Sequence, residues 1–529
     1  MKFRKIEIAF FLLPLIFVFA LMVREINLPY VGPNATDLNV FSIVARNYNN
    51  WGYLNIKFAP IVNLSKDVPT APEIYLHHPI FTEVFESILF KIFGNDFWVG
   101  RLTLIIPSFL IVPLFFLIGK ELKDKKLGVT ALMVGAVIPA TIVFGRQSYF
   151  AGSWNLFFVV LASFFVLKYV RTNQKIFFLF SLIAVILGTL SDWPMTYFTP
   201  FLLPFMYKNK KTKEGIIILL TSTLTAGLFL VYSYFILGSM KNIVDAILNR
   251  SVGELLSLSF WPLRWIGVLV IRFILYFNPF FSLLALIYIY SFVRKLLKNT
   301  LADFDLLIFA FFGFGITNVL LYPEGSFGHP FWVYLLVPFI TFACAKVINE
   351  RVKKVNWWIA ILLVLSILFV LKIEDWKTQQ NLTNVFRYNL AKSVSQYFIP
   401  YDTIDVNPSS YVNTDLYQYS FYQNVRFVQV NLKDTNNLKD ANYYVYACVD
   451  CSLNNLEINF LARNFQYKTF ASPPGRVFIF FLKQKQNQKN PLPVINKAVN
   501  IPVGVVPEKQ SILRRFYNFW VDFLKAPQL

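Results

Sequence analysis

Long apolar runs separated by short basic stretches dominate the chain up to Lys372, and the pattern changes abruptly after it. A helix needs roughly 20 apolar residues to cross about 30 Å of hydrocarbon. Runs of that kind predict spans at residues 6–23, 98–119, 128–145, 153–170, 176–191, 194–207, 215–238, 268–291, 305–322, 330–348 and 356–372, about eleven crossings in all. The sixth is short and carries Pro194, Pro200 and Pro204, which distort a helix unless its neighbours satisfy the freed carbonyls. Leu38–Trp51, Pro79–Phe93 and Asn242–Leu258 are instead amphipathic and predict helices lying along the membrane interface.

Beyond Lys372 short β-prone runs appear, at Val425–Val430, Tyr443–Ala447 and Val477–Leu482, separated by turn-forming residues. The expected fold is therefore mainly α, a polytopic membrane helical bundle over residues 1–372 followed by a small extracytoplasmic α/β domain over 373–485. Residues 486–529 read as an extended tail with an amphipathic helix at Ser511–Lys525.

Composition agrees with a membrane as solvent. Of the 529 residues 56% are hydrophobic and 15% charged, too apolar for a soluble chain of this length. A net charge of +21 could suggest nucleic acid, but the basic residues cluster between apolar runs, where they mark cytoplasmic loops. These clusters are Lys2 to Lys5, Lys120 to Lys126, Arg171 to Lys175, Lys208 to Lys213, Arg294 to Lys298 and Arg351 to Lys354. They place the amino terminus in the cytoplasm and the intervening segments outside, as expected of an integral protein of a prokaryotic plasma membrane. The Met1–Lys5 start followed by an apolar run, with no small-residue cleavage site, reads as a retained signal anchor. Cys344 lies in an apolar run, and the lone Cys448/Cys451 pair fits a local disulfide and simple thiols equally.

Ionisable groups at a membrane edge are costly unless they bind something. The outward segments hold a short set of them: Asp37, His77, His78, Arg101, Arg146, Asp192, Glu324 and His329, with Trp193 beside Asp192. Asp37 opens an amphipathic helix, where it can cap the helix, act as a general base toward an attacking hydroxyl, or do both. Arg101, Arg146 and, farther along, Arg272 sit where they can meet an anionic headgroup or simply anchor their helices at the interface. His329 precedes Pro330 at a helix start, a suitable place for phosphate, while His77, His78, Asp192, Trp193 and Glu324 are candidate substrate-binding residues.

Taken in order, these segments resemble the GT-C fold glycosyltransferases, in particular the group that includes protein O-mannosyltransferases and the lipid A aminoarabinose transferases. The resemblance rests on Thr36-Asp37, on His78-Pro79-Ile80-Phe81, and on Gly94 to Leu102 ending in Arg101-Leu102. It continues through Phe144 to Ser148, Leu190 to Pro194, Glu324-Gly325, and His329-Pro330-Phe331-Trp332-Val333-Tyr334 with Pro338. It implies a polyprenyl-phosphate sugar donor, a hydroxyl-bearing acceptor and inversion, with Asp37 as the base and Arg146 and His329 on the phosphate. The sequence departs from the family where Ile80 replaces a second proline and where Ala151, Gly152 and Ser153 stand in place of an acidic residue, leaving Asp192 as a substitute partner. No cofactor is required by this reading; a divalent metal stays open, with Asp37 and His78 as candidate ligands. The competing class is a lipid or glycolipid flippase, which would place its ionisable residues near the bilayer midplane.

Overall fold

The computed structural model describes residues 5–24, 26–30, 35–147, 150–252, 261–351, 363–375, 403–406, 426–429, 442–448, 456–472 and 475–485. The helix expected at 511–525, Cys451 and the rest of the tail lie outside these residues. The membrane part is helical: α1 (Lys5–Val23), α2 (Ala35–Trp51), α3 (Phe81–Phe93), α4 (Phe97–Leu122), α5 (Lys125–Val137), α6 (Pro139–Gln147), α7 (Phe150–Thr172), α8 (Lys175–Ser191) and α9 (Pro194–Lys208) come first. They are followed by α10 (Thr212–Leu237), α11 (Lys241–Val252), α12 (Trp261–Phe277), α13 (Pro279–Leu297), α14 (Asp303–Leu321), the short α15 (Pro323–Gly328), a 3-10 turn (Pro330–Leu336) and α16 (Val337–Arg351). Residues 363–375 form α17.

Among the described residues six helices are long and apolar enough to cross a membrane unaided, and α5 with α6 makes a seventh span bent by 56°. Of the remaining expected crossings, α8 with 17 residues and α9 with 15 are shorter helices, α1 has 19 residues, and the crossing at 356–372 is described only from residue 363. The span expected at 268–291 divides at Asn278, which adopts φ 55° and accepts a hydrogen bond from the Phe281 amide at 2.9 Å. The Asn278 side chain caps the new first turn and Pro279 suits its first position, so α13 starts afresh there.

The amphipathic segments fold as the periodicity indicates. α3 turns Thr82, Glu83, Glu86 and Ser87 inward and exposes Ile88, Ile92 and Phe93, the inverse of a soluble helix and suited to a lipid-facing position. Ser42 of α2 donates to Glu86 at 2.7 Å, and Gly100 of α4 lies so close that a Cβ there would stand 1.5 Å from the Tyr30 hydroxyl.

The bundle has two dissimilar ends. At one, the basic turns knit together: Lys211 donates to Asn173 at 2.6 Å, Lys168 pairs with Glu121 at 2.7 Å, and buried Asp305 holds Lys346 at 2.6 Å and Lys295 at 3.2 Å. From there α8 and α9 run to the opposite end and back, meeting at Asp192 and Trp193. The carboxy-terminal region forms a five-stranded sheet of β1 (Thr403–Val406), β2 (Arg426–Gln429), β3 (Tyr443–Cys448), β4 (Phe465–Ser472) and β5 (Gly475–Lys485), in the order β2-β1-β3-β5-β4. The first three strands pair in parallel, the last two pairings are antiparallel, and α18 (Leu456–Asn464) covers the sheet through Leu461.

Replacing Asp305 with alanine would strand two ammonium groups, Lys346 being only 11% exposed. The expected cost is about 3 kcal/mol or more, read as a lower melting temperature in detergent. Glu121→Ala, at a more exposed pair, should change stability by less than about 1 kcal/mol.

Candidate active site

Asp192 ends α8 in an extended conformation, is 1% exposed, and directs one carboxylate oxygen at two donors. Its Oδ1 lies 3.0 Å from Nδ1 of His78 and accepts the Trp193 amide at 2.8 Å, while Trp193 Nε1 donates to the His77 carbonyl at 2.9 Å. Asn155 donates to the Asp192 carbonyl at 2.8 Å and so holds the corner from behind. These bonds join the loop that precedes α3 to the α8–α9 corner. With Nδ1 facing the carboxylate, the other nitrogen of His78 faces Arg250 of α11 at 3.5 Å.

These groups line a cavity, partly open to solvent, whose walls include Phe41, Tyr75, Trp193, Tyr197, Tyr322 and Trp332. His77 and His329 line it as well, so all three histidines of the chain meet there. His329 stands at the rim with its ring stacked on Phe331 at 5.1 Å. Enclosure by the cavity walls, with the charges of Arg250 and Arg272, lowers its pKa. Burial, with His78 and Arg250 adding to it, lowers His77 to about 4, so that its imidazole is neutral near pH 7.

Arg250 is the functional candidate that sequence reasoning missed. Ile243, Ala246, Ile247 and Arg250 all line the cavity, one face of α11 at spacings of three, four and seven residues. A lone arginine continuing an otherwise apolar stripe was the available signal.

The remaining predicted residues are distributed as follows. Asp37 lies in the first turn of α2, with its side chain outside the described residues; Phe41, four residues on, lines the cavity. Arg101 donates to the carbonyls of Leu28 and Pro29 and lies over the Tyr30 ring, fixing the chain after α1. Arg146 donates to the Leu21 carbonyl at 2.7 Å and pairs with buried Glu374 of α17. Arg272 donates to the carbonyls of Ser326, Phe327 and His329 and thereby shapes the rim that carries His329. Glu324 is half-buried in α15 and does not line the cavity.

Residues 77–235, from His77 to near the end of α10, match the family described as dolichyl-phosphate-mannose-protein mannosyltransferase. ArnT from Cupriavidus metallidurans superposes in its apo state with a TM-score of 0.53 at 10% identity, over 91% of this chain and 99% of that one. The same protein bound to undecaprenyl phosphate gives 0.53 at 10% identity, over 89% and 97%. AglB from Archaeoglobus fulgidus, in complex with an inhibitory peptide and a dolichol-phosphate, gives 0.53 at 12% identity, over 93% and 76%. No curated protein matches the sequence.

The chain has the GT-C glycosyltransferase fold. Within this GT-C bundle the cavity lies between the first loop, the α8–α9 corner, α11 and the α15 rim. No three metal-ligating side chains converge among the described residues. The ring nitrogen of His78 that would be left to a divalent ion faces the Arg250 guanidinium at 3.5 Å, which does not suit a cation there.

Two buried carboxyls of α3 lie behind the site. Burial raises Glu83 to about 8, with the Asp192 charge adding to it, and raises Glu86 well above the usual range despite the Ser42 hydrogen bond. A carboxyl whose folded pKa exceeds its unfolded one stabilises the fold at low pH and ceases to as pH rises through the folded value. Melting temperature is therefore expected to fall by a few degrees between pH 6 and 9, and Glu83→Gln should remove part of that slope. An unchanged slope in the variant would contradict a protonated Glu83.

Proposed function

We propose that the protein transfers a sugar from a polyprenyl-phosphate carrier to a hydroxyl acceptor at the extracytoplasmic end of its bundle, with inversion at the anomeric carbon. The observation that carries this reading is the convergence of three histidines and Arg250 on one cavity, at the end opposite the basic turns. The family match over residues 77–235 and the polyprenyl-type phosphates held by the structural neighbours support it. Basic turns mark the cytoplasmic side, which leaves the cavity facing outward and the amino terminus inside, in the plasma membrane of a prokaryote.

Nucleotide sugars are not available outside that membrane, so a donor must arrive on a lipid, with its phosphate at headgroup depth. In the transfer step the acceptor oxygen attacks the anomeric carbon from the face opposite the phosphate, and its proton passes to Asp37. The bond to the phosphate oxygen breaks and its electron pair leaves with polyprenyl phosphate. Arg250 and His329 are the groups we assign to the charge that develops there. His78, held by Asp192, keeps Arg250 in place, while the indoles of Trp193 and Trp332 give the sugar flat apolar walls. Arg101, Arg146 and Arg272 act as positioning residues, each holding backbone carbonyls near the site end. The acceptor can be a protein, glycan or lipid hydroxyl.

Asp37→Asn keeps the size of the side chain and removes the base. Assayed in membranes with radiolabelled polyprenyl-phosphate mannose and a screen of acceptors, it should lower kcat by about 10²- to 10⁴-fold at unchanged melting temperature. Arg250→Gln should raise KM for the donor by about tenfold, the loss of one charge-assisted bond. Undiminished transfer by Asp37→Asn would overturn the catalytic assignment.

A further inference from the structure

α12 does not run across the bundle. Near its start Trp265 donates to the Ser326 hydroxyl of α15 at 2.8 Å, farther on Arg272 holds the carbonyls of the rim, and near its end the Tyr276 ring lies 4.6 Å from that of Phe144, one turn from the end of α6. All three contacts belong to the site end, so the helix lies along it. Its inner face buries Ile271, Arg272, Leu275 and Tyr276, while Leu263, Ile266 and Val270 stay exposed at spacings of three and four. That is the pattern of a helix embedded in the membrane interface. Trp261 and Trp265, both half-buried and with ring centroids 6.5 Å apart, fix the depth of its first turns, because indoles settle at headgroup level.

Arg264 stands in those turns. Three residues after Trp261, it shares a flank of the helix with that indole, and it does not line the cavity. Its Nη1 is buried, yet no described residue accepts a hydrogen bond from it. Arg101, Arg146, Arg250 and Arg272, at the same end, each have a partner. A buried guanidinium N–H without an acceptor is costly, and an anionic oxygen removes that cost through a charge-assisted bond. The surroundings identify the source of such an oxygen: beside an exposed aliphatic stripe, at headgroup depth and outside the cavity, the anion that brings its own acyl chains is a phospholipid.

We propose that the first half of α12 binds an anionic phospholipid of the bilayer, with its phosphodiester on Arg264 beside Trp261 and its acyl chains along Leu263, Ile266 and Val270. The site is separate from the transfer cavity and does not depend on the transferase reading. Because Trp265 and Arg272 of the same helix hold the α15 rim, an occupied site also steadies the segment that carries His329. The bound lipid is structural, neither donor nor acceptor.

The test titrates the full chain, delipidated in maltoside detergent, with phosphatidylglycerol, phosphatidylcholine or polyprenyl phosphate, and reads binding by native mass spectrometry beside the melting temperature. Wild type should bind phosphatidylglycerol about tenfold more tightly than phosphatidylcholine, the worth of one charge-assisted bond, and its melting temperature should rise by several degrees. Arg264→Gln should lose that tenfold preference and the rise, while melting no lower than wild type in lipid-free detergent, since it removes an unpaired charge. Arg250→Gln should keep the preference. Equal binding of the two phospholipids by wild type, or an unchanged phosphatidylglycerol affinity in Arg264→Gln, would overturn the site. Displacement of bound phosphatidylglycerol by equimolar polyprenyl phosphate would overturn it as well, by giving Arg264 to the carrier. Should Arg264→Gln not fold, Ile266→Asn, at an exposed position of the stripe, takes its place: weaker phosphatidylglycerol binding supports the site and unaltered binding rejects it.

Discussion

The hydrogen bond between His78 and Asp192 is the constraint on which the cavity depends. Its partners are 114 residues apart, and it fixes a loop outside the bundle to a corner between two crossings. Asp192 at 1% exposure would be costly if unpaired, so the histidine, the Trp193 amide and the Asn155 amide together hold both the residue and its geometry. Once that corner is set, α11 can lay Arg250 against His78, and the rim shaped by Arg272 brings His329 to the same space. These polar groups of the site end are held in an apolar bundle because each is anchored by another.

Much of this was legible in the sequence. The 3.6-residue period located α2 and α3 to within a few residues, and the scarcity of polar groups at crossing ends singled out His77, His78, Asp192 and His329. β2, β3 and β5 fall on the three β-prone runs.

The rest depends on contacts that local pattern does not encode. Arg250 matters only because α11 folds back over the first loop. Glu374 becomes the counter-ion of Arg146 across 228 residues of chain, and in sequence it is simply an acid at the end of an apolar run. Glu83 and Glu86 suggest a solvated face, yet the lipid-facing side of α3 is apolar and turns them inward. The arginines at the site end looked alike in sequence. Packing divides them, with Arg101, Arg146 and Arg272 directed at backbone carbonyls and Arg250 at the cavity.

The cavity has a cationic wall, an uncharged wall and a pair of indoles, and the helix bearing Asp37 contributes Phe41 to the lining. The central claim is that a lipid-borne phosphate docks beside Arg250. A cryo-EM structure of the full chain with polyprenyl-phosphate mannose tests it most directly: the account predicts the phosphate within hydrogen-bond reach of the Arg250 guanidinium, inside the cavity. Phosphate density at the opposite end, among Lys208, Lys211 and their neighbours, would contradict it.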